Sequence, residues 1–184
     1  MKFCSNCANP IKFGAVEGEH IPRFHCEACG VIHYINPKVI VGCLPVWEDK
    51  VMLCKRGIEP QHGLWNIPGG FMENDETTEE GAVREMFEET NAQVRVIGLH
   101  TVFNVLPVNQ VHLHYLVEMM DLNYSLTPES IDIQLFREAE IPWHDIAFAS
   151  SRFALKRYFA DKKNNTTQLH TGTLREKEGK WIIE

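Results

Sequence analysis

Carboxylates crowd one short stretch of this chain at spacings suited to holding a divalent cation. From Glu73 to Glu89 there are eight acidic residues and a single cation, Arg84. That local excess of seven negative charges equals the net charge of −7 carried by all 184 residues, so the remainder is close to neutral. Oxygen ligands clustered in this way suit hard cations such as Mg²⁺ or Mn²⁺. A solvated acidic helix face would carry the same charge. It would account neither for the lone Arg84 nor for Gly69-Gly70 just ahead of the run.

The stretch reads as a helix. Thr77 and Glu80 have the spacing of a capping box that starts a helix near Thr78. At about 100° per residue, Ala82, Val83, Met86 and Phe87 fall on one arc and are expected to face a core. Glu85, Glu88 and Glu89 are placed on the opposite arc, where their carboxylates converge and repel unless a cation sits among them. Asn91 ends the helix, because Asn tolerates the left-handed conformation of a C-terminal cap.

These positions match the pattern Gly-x5-Glu-x7-Arg-Glu-(apolar)-x-Glu-Glu-x-Gly-(apolar), starting at Gly70 and departing only at Asn91, which replaces the late glycine. The pattern is the Nudix box, and the chain resembles Nudix hydrolases. The run His62 to Gly70 is similar to the G-x-W-x-x-P-G-G segment that leads into the box in that family. Trp65 and Pro68 read as packing residues, while the two glycines let backbone carbonyls approach a ligand or metal. The resemblance implies an α+β architecture, the αβα sandwich with a mixed sheet. It implies that Glu85 and Glu89 hold Mg²⁺ (or Mn²⁺) beside Gly70, with Glu88 as a further ligand or as the base. It also implies that Arg84 and Glu76 orient the cluster through an ion pair. The general base stays open among Glu88, Glu129 and Glu138.

A second ligand set stands at the N-terminus. Cys4-Ser5-Asn6-Cys7 and Cys26-Glu27-Ala28-Cys29 are two C-x2-C pairs with eighteen residues between them, the spacing of a zinc ribbon. Four thiolates fill a tetrahedral shell and leave no position for water, so this zinc is expected to be structural. Two disulfides in a secreted domain are the alternative; Met1-Lys2-Phe3 runs into Cys4 without an apolar leader, which favours a reducing compartment and the cytoplasm. Cys43 and Cys54 lie in apolar runs and read as small buried hydrophobes. With four cysteines available, neither His25 nor His33 is needed as a ligand. His112 and His114 alternate on one strand face, as metal or pocket residues or, more simply, as a hydrogen-bonded strand face.

Length and patterning supply the frame for these groups. The chain divides as a zinc ribbon over residues 1–35 and a hydrolase domain over 36–184. No apolar run is long enough to span a bilayer, and the negative charge with no basic stripe argues against nucleic acid. A homodimer is compatible with the sequence. Strands are expected over Lys38 to Trp47, Val51 to Arg56, Val94 to Val105, Val111 to Met120 and Ile133 to Phe136. A second helix is expected over Ser150 to Lys162, and a hairpin across Lys177 to Lys180. Lys55-Arg56 is either a solvated strand end or a reach toward an anionic diphosphate.

Outside the box, runs such as Asn36-Pro37-Lys38, Leu53-Cys54-Lys55-Arg56, Pro128-Glu129-Ser130 and Ala147-Phe148-Ala149-Ser150-Ser151 are similar to plant FAD and ADP-ribose diphosphatases of the family. The S-Q-P-W-P-F-type motif of NADH diphosphatases does not occur, and Pro107, fifteen residues past the box, accompanies ADP-ribose hydrolases. The resemblance therefore implies a small nucleotide substrate, FAD or ADP-ribose. An NADH diphosphatase is the runner-up, and a non-catalytic nucleotide sensor the alternative of another class. Phe103, Trp143 and Phe148 each offer a stacking surface but read equally as core.

Overall fold

Three short strands near the N-terminus pair antiparallel in the order β1 (Lys12–Gly14), β2 (Arg23–His25) and β3 (Ile32–His33). They belong to Met1–Asn36, one of two compact units into which the computed structural model of residues 1–184 divides. A unit this small buries little apolar surface by itself, and two of its buried side chains are Cys4 and Cys26.

Pro37–Glu184 forms the second unit. Its strands are β4 (Lys38–Trp47), β5 (Lys50–Arg56), β6 (Trp65–Asn66), β7 (Gly69–Phe71), β8 (Val94–Val105), β9 (Gln110–Met119), β10 (Ser130–Phe136), β11 (His170–Lys177) and β12 (Lys180–Ile183). Two helices accompany them, α1 (Thr78–Thr90) and α2 (Ala149–Asn164). The sheet runs β10-β5-β4-β9-β8-β11-β12, with β6 on β5 and β7 on β4. β4 and β9 are parallel, as are β8 and β11; the other pairs are antiparallel.

The continuous apolar run in β5 follows from burial on both faces. Val51 and Leu53 join a core with Leu44, Phe136 and the α2 residues Leu155 and Phe159. Met52 and Cys54 join another with Val41, Cys43 and the α1 residues Ala82 and Met86. A mixed sheet between two helices is the sandwich that the resemblance implied. No helix is long and apolar enough to cross a membrane.

One local feature positions the chemistry. β4 and β5 pair only next to their turn, at Val46–Val51 and Trp47–Lys50. Beyond that point they splay, and the segment from Trp65 to Phe71 takes up the freed edges: Asn66 pairs with Cys54, Gly70 with Val41. The Pro68 carbonyl accepts from the Cys43 N–H at 3.0 Å. The Gly-Gly loop is thus tied to β4 directly ahead of α1.

Candidate active site and thiolate cluster

α1 begins and ends where its caps require. Thr77 Oγ1 accepts from the Glu80 N–H at 3.2 Å, and Glu80 Oε2 accepts from the Thr77 N–H at 2.8 Å. Asn91 takes the left-handed conformation with φ 56°. The faces between differ from the sequence expectation at two positions. Ala82 and Met86 are fully buried, but Phe87 is 50% exposed and Glu89 only 8% exposed. The reason is angular: seven residues span about 700°, which leaves Glu89 within about 20° of Ala82 on the buried face. Phe87 lies about 100° round from Met86, past the edge of that face.

Arg84 organises the carboxylates. Its Nε and Nη2 donate to the two oxygens of Glu76, both at 2.9 Å, and Nη2 also donates to the Phe71 carbonyl at 3.1 Å. Nη1 donates to Glu85 and to Glu88, each at 3.0 Å. One guanidinium thus ties the loop after β7 to the helix and holds two carboxylates of the helix in place. The hydrogen bonds from Arg84, then from the Glu73 N–H, hold the Glu76 carboxyl down to about 2. Gly81 makes room for this: a Cβ there would lie 2.5 Å from Glu76 Oε1. A Cβ on Gly70 would likewise collide with the Glu85 carboxylate, so the Gly70 backbone stands directly against that group.

Glu85 and Glu89 are in a different electrostatic state. Burial pushes Glu85 up despite Arg84, with Glu88 and Glu129 adding to the rise. Burial also pushes Glu89 up to about 8, against a 3.2 Å hydrogen bond from the Gly69 N–H and the attraction of Arg56. Neighbouring Glu85 and Glu129 raise it further. Arg84, shared with Glu76, and Arg56 do not balance Glu85, Glu88, Glu89 and Glu129, and an oxygen-only donor set short of positive charge fits a hard divalent cation.

Of the base candidates, Glu88 is held by Arg84 and half-exposed. Glu129 lies beside the cluster, its carbonyl accepting from the Gly57 N–H at 2.8 Å just past β5. Glu138 does not reach it. β10 carries Ser130 opposite Arg56 but Phe136 opposite Val51, so Glu138 emerges at the far end of the strand and pairs with Lys163 at 2.8 Å.

In the N-terminal unit the four cysteines converge. Sγ of Cys4 and Cys29 are 3.6 Å apart, those of Cys7 and Cys26 3.5 Å, and all four lie within 4.8 Å of one another. None is in a disulfide. Tetrahedral zinc with thiolates at about 2.3 Å places sulfurs about 3.8 Å apart, so the spacing fits zinc. The Asn6 N–H points at Cys4 Sγ and the Asn9 amide at Cys7 Sγ, both at 3.4 Å; the Asn9 bonds hold the Cys7 thiol down to about 6.

The remaining residues sort by what they touch. His112 is buried and hydrogen-bonded to Ser150 and Gln110, and His114 to Thr101. Burial pushes them down to about 4 and about 3, so they are neutral parts of the strand face. Cys43 and Cys54 are buried, with burial pushing the Cys43 thiol up to about 12. Lys55 lies over the buried Trp65 ring, 5.7 Å from its centroid; Arg56 lies over Phe148 at 5.1 Å and faces Glu89. Phe103 is core, packed on Phe153. Pro107 sits in the turn between β8 and β9.

The NUDIX domain family profile matches residues 36–167. The chain belongs to the Nudix hydrolase family. The Nudix N-terminal zinc-ribbon profile matches residues 2–35. A crystal structure of a NUDIX hydrolase from Nitrosomonas europaea superposes with a TM-score of 0.91 at 44% identity, over 96% of this chain and 100% of that one. An ADP-ribose pyrophosphatase of Methanocaldococcus jannaschii is 39% identical over 71 residues, 39% of this chain and 42% of that protein. A NAD-capped RNA hydrolase NudC of Chromobacterium violaceum is 33% identical over 96 residues, 51% of this chain and 34% of that protein. The aligned part is thus less than half of either relative.

Within this Nudix domain, sequence reasoning passed over Gly81, the stacking of Arg56 on Phe148, and a cluster of His100, Asp161 and His170. Gly81 was within reach, since a glycine inside a helix asks for a packing reason. The other contacts join residues 61 or more positions apart with no local signal, except Asp161 and His170.

Proposed function

We propose that the chain is a Mg²⁺-dependent diphosphatase acting on the diphosphate bridge of a nucleoside diphosphate derivative. ADP-ribose, cleaved to AMP and ribose 5-phosphate, and FAD, cleaved to FMN and AMP, are the preferred substrates. The observation that carries this reading is the set of Glu85, Glu88, Glu89 and Glu129 around Gly69-Gly70, short of positive charge and organised by Arg84.

Glu85 and Glu89 would hold the ion, with Glu88 and the Gly70 carbonyl completing the protein's share. When bound, Mg²⁺ neutralises phosphate charge and acidifies a water for attack on phosphorus. Arg84 keeps Glu85 and Glu88 oriented. Glu88 or Glu129 accepts the proton of the attacking water. Arg56, stacked on Phe148, supplies a fixed cation for a substrate phosphate.

The archaeal relative's name and the segments from Pro128 to Ser151 support ADP-ribose and FAD. The NudC relatives are named NAD-capped RNA hydrolases, which favours a second reading, a nicotinamide dinucleotide such as NADH or an NAD cap as substrate. Free buried thiols at Cys43 and Cys54 suit the cytoplasm. Purified protein with Mg²⁺ or Mn²⁺ is to be assayed against FAD, ADP-ribose, NADH and diadenosine polyphosphates, scored for AMP. Higher kcat/KM for FAD or ADP-ribose than for NADH is expected. NADH ahead of both would sink the substrate assignment, and tight binding without turnover would leave a sensor.

A further inference from the structure

On the α2 side of the sheet, three side chains from separate elements meet. His100 comes from β8, Asp161 from the last turn of α2, and His170 opens β11. One ligand atom from each lies within 4.8 Å of the other two. His170 Nε2 is 2.8 Å from Asp161 Oδ2, and the two imidazole rings stand 5.5 Å apart at 79°. His100 is 3% exposed and Asp161 6%. A cavity of about 190 Å³, lined by His100, Tyr158, Asp161, Lys162 and Thr166 among others, adjoins them.

We propose that His100, Asp161 and His170 form a second zinc site, apart from the thiolate cluster and the carboxylates, taking Zn²⁺ or a similar borderline divalent ion through two imidazoles and one carboxylate. Three protein ligands of this kind leave a position for water or a small ligand, which the adjoining cavity can admit. The site involves none of the residues of the proposed hydrolysis.

The hydrogen bonding prepares His100, while His170 Nε2 donates to Asp161 Oδ2 at 2.8 Å and would release that proton to solvent on binding a metal. His100 Nε2 lies 3.2 Å from the Ala154 carbonyl oxygen. A carbonyl only accepts, so this nitrogen carries the hydrogen and Nδ1 keeps its lone pair. Metal-binding histidines commonly give their second N–H to a backbone carbonyl in this way. Thr166 Oγ1 donates to Asp161 Oδ1 at 3.3 Å and leaves Oδ2 toward His170. The Asp161–His170 pair is complete without His100, whose hydrogen bond goes elsewhere; a metal gives the third donor a reason. An ion here would tie β11 to α2 and β8, and so fasten a hairpin that lies past residue 167, where the family match ends.

The test uses the full chain, stripped of metal and reconstituted with Zn²⁺ in excess Mg²⁺, which competes for the carboxylate cluster. Bound zinc is counted by native mass spectrometry. About two equivalents are expected in the wild type and about one in His170→Ala, Asp161→Asn and Cys26→Ser. The second equivalent should slow tryptic cleavage after Arg175 and Lys177 about tenfold in the wild type and leave His170→Ala unaffected. A single equivalent in the wild type overturns the proposal and leaves a hydrogen-bonded clamp, whatever the variants' folding. A second equivalent lost in Glu89→Gln but kept in His170→Ala would also overturn it.

Discussion

Arg84 donates to Glu76, Glu85 and Glu88 at once, yet the carboxylates around it differ in their affinity for protons because burial differs. Glu76 is held down to about 2 by Arg84, whereas Glu85 is raised because its burial outweighs the same cation. Glu89 has only the Gly69 N–H and the more distant pull of Arg56, and burial pushes it up to about 8. Glu89→Gln should therefore lower turnover with Mg²⁺ by at least about two orders of magnitude, by analogy with other charge-stabilising groups. Near-normal activity at low Mg²⁺ would show that Glu89 is no ligand. The same variant should stabilise the Mg²⁺-free, zinc-loaded protein, by on the order of 3 kcal/mol at pH 7, because an acid with a raised folded pKa destabilises above its unfolded pKa of about 4.3. His112 and His114 act with the opposite sign. Burial holds them at about 4 and about 3, so below about 6.5 the unfolded chain takes up protons that the folded chain refuses. Near pH 5.5 the two histidines contribute about two protons to the unfolded state, and Glu89 returns about one to the folded state. Stability should then rise with pH more steeply in Glu89→Gln than in the wild type, by about 1.4 kcal/mol per pH unit. Denaturant titrations across pH 5 to 6 measure both slopes, and equal slopes would contradict the assignment.

α1 connects those residue effects to the fold. Its caps set the start and the end, and Arg84 binds its outer side to Phe71 at the end of β7 and to Glu76 in the loop after it. Its buried face is narrower than hydrophobicity alone suggests, since Met86 is fully buried and the adjacent Phe87 is half in solvent. Met86→Ala should cost about 2–5 kcal/mol, the range for a large side chain removed from a core. Phe87→Ala should stay within about 0.5 kcal/mol, as for surface changes. Equal losses in chemical denaturation would mean that Phe87 is covered in solution. Met86→Ala should also lower activity, because Glu85 and Glu89 ride on the helix that Met86 anchors.

At the scale of the molecule, thiolates and carboxylates occupy different compact units. The ribbon has three short strands and little apolar core, so zinc binding would supply much of its folding free energy. Cys26→Ser should reduce zinc content and lower the first melting transition. Activity per folded molecule should change far less, as no cysteine of the cluster belongs to the hydrolase unit. Zinc-free protein with unchanged melting would argue against a structural role.

Local patterns were enough for the box spacing, the paired C-x2-C motifs, the capping box at Thr77 and the extents of β4 and β8, because each is set within one turn or one strand. The same local reasoning misplaced Phe87 and Glu89. Periodicity tells which residues share a face, but the width of the covered part depends on β4, β7 and β9 packing against it. Only the tertiary structure separated Glu129 from Glu138, since the register of β10 on β5 puts one at Arg56 and sends the other to the opposite end. It alone made the parallel pairing of β8 with β11 and so brought His170 to Asp161 and His100. Proton affinities followed the same division: the carboxylates of α1 are alike in sequence, and differ because desolvation depends on what the rest of the chain lays over them.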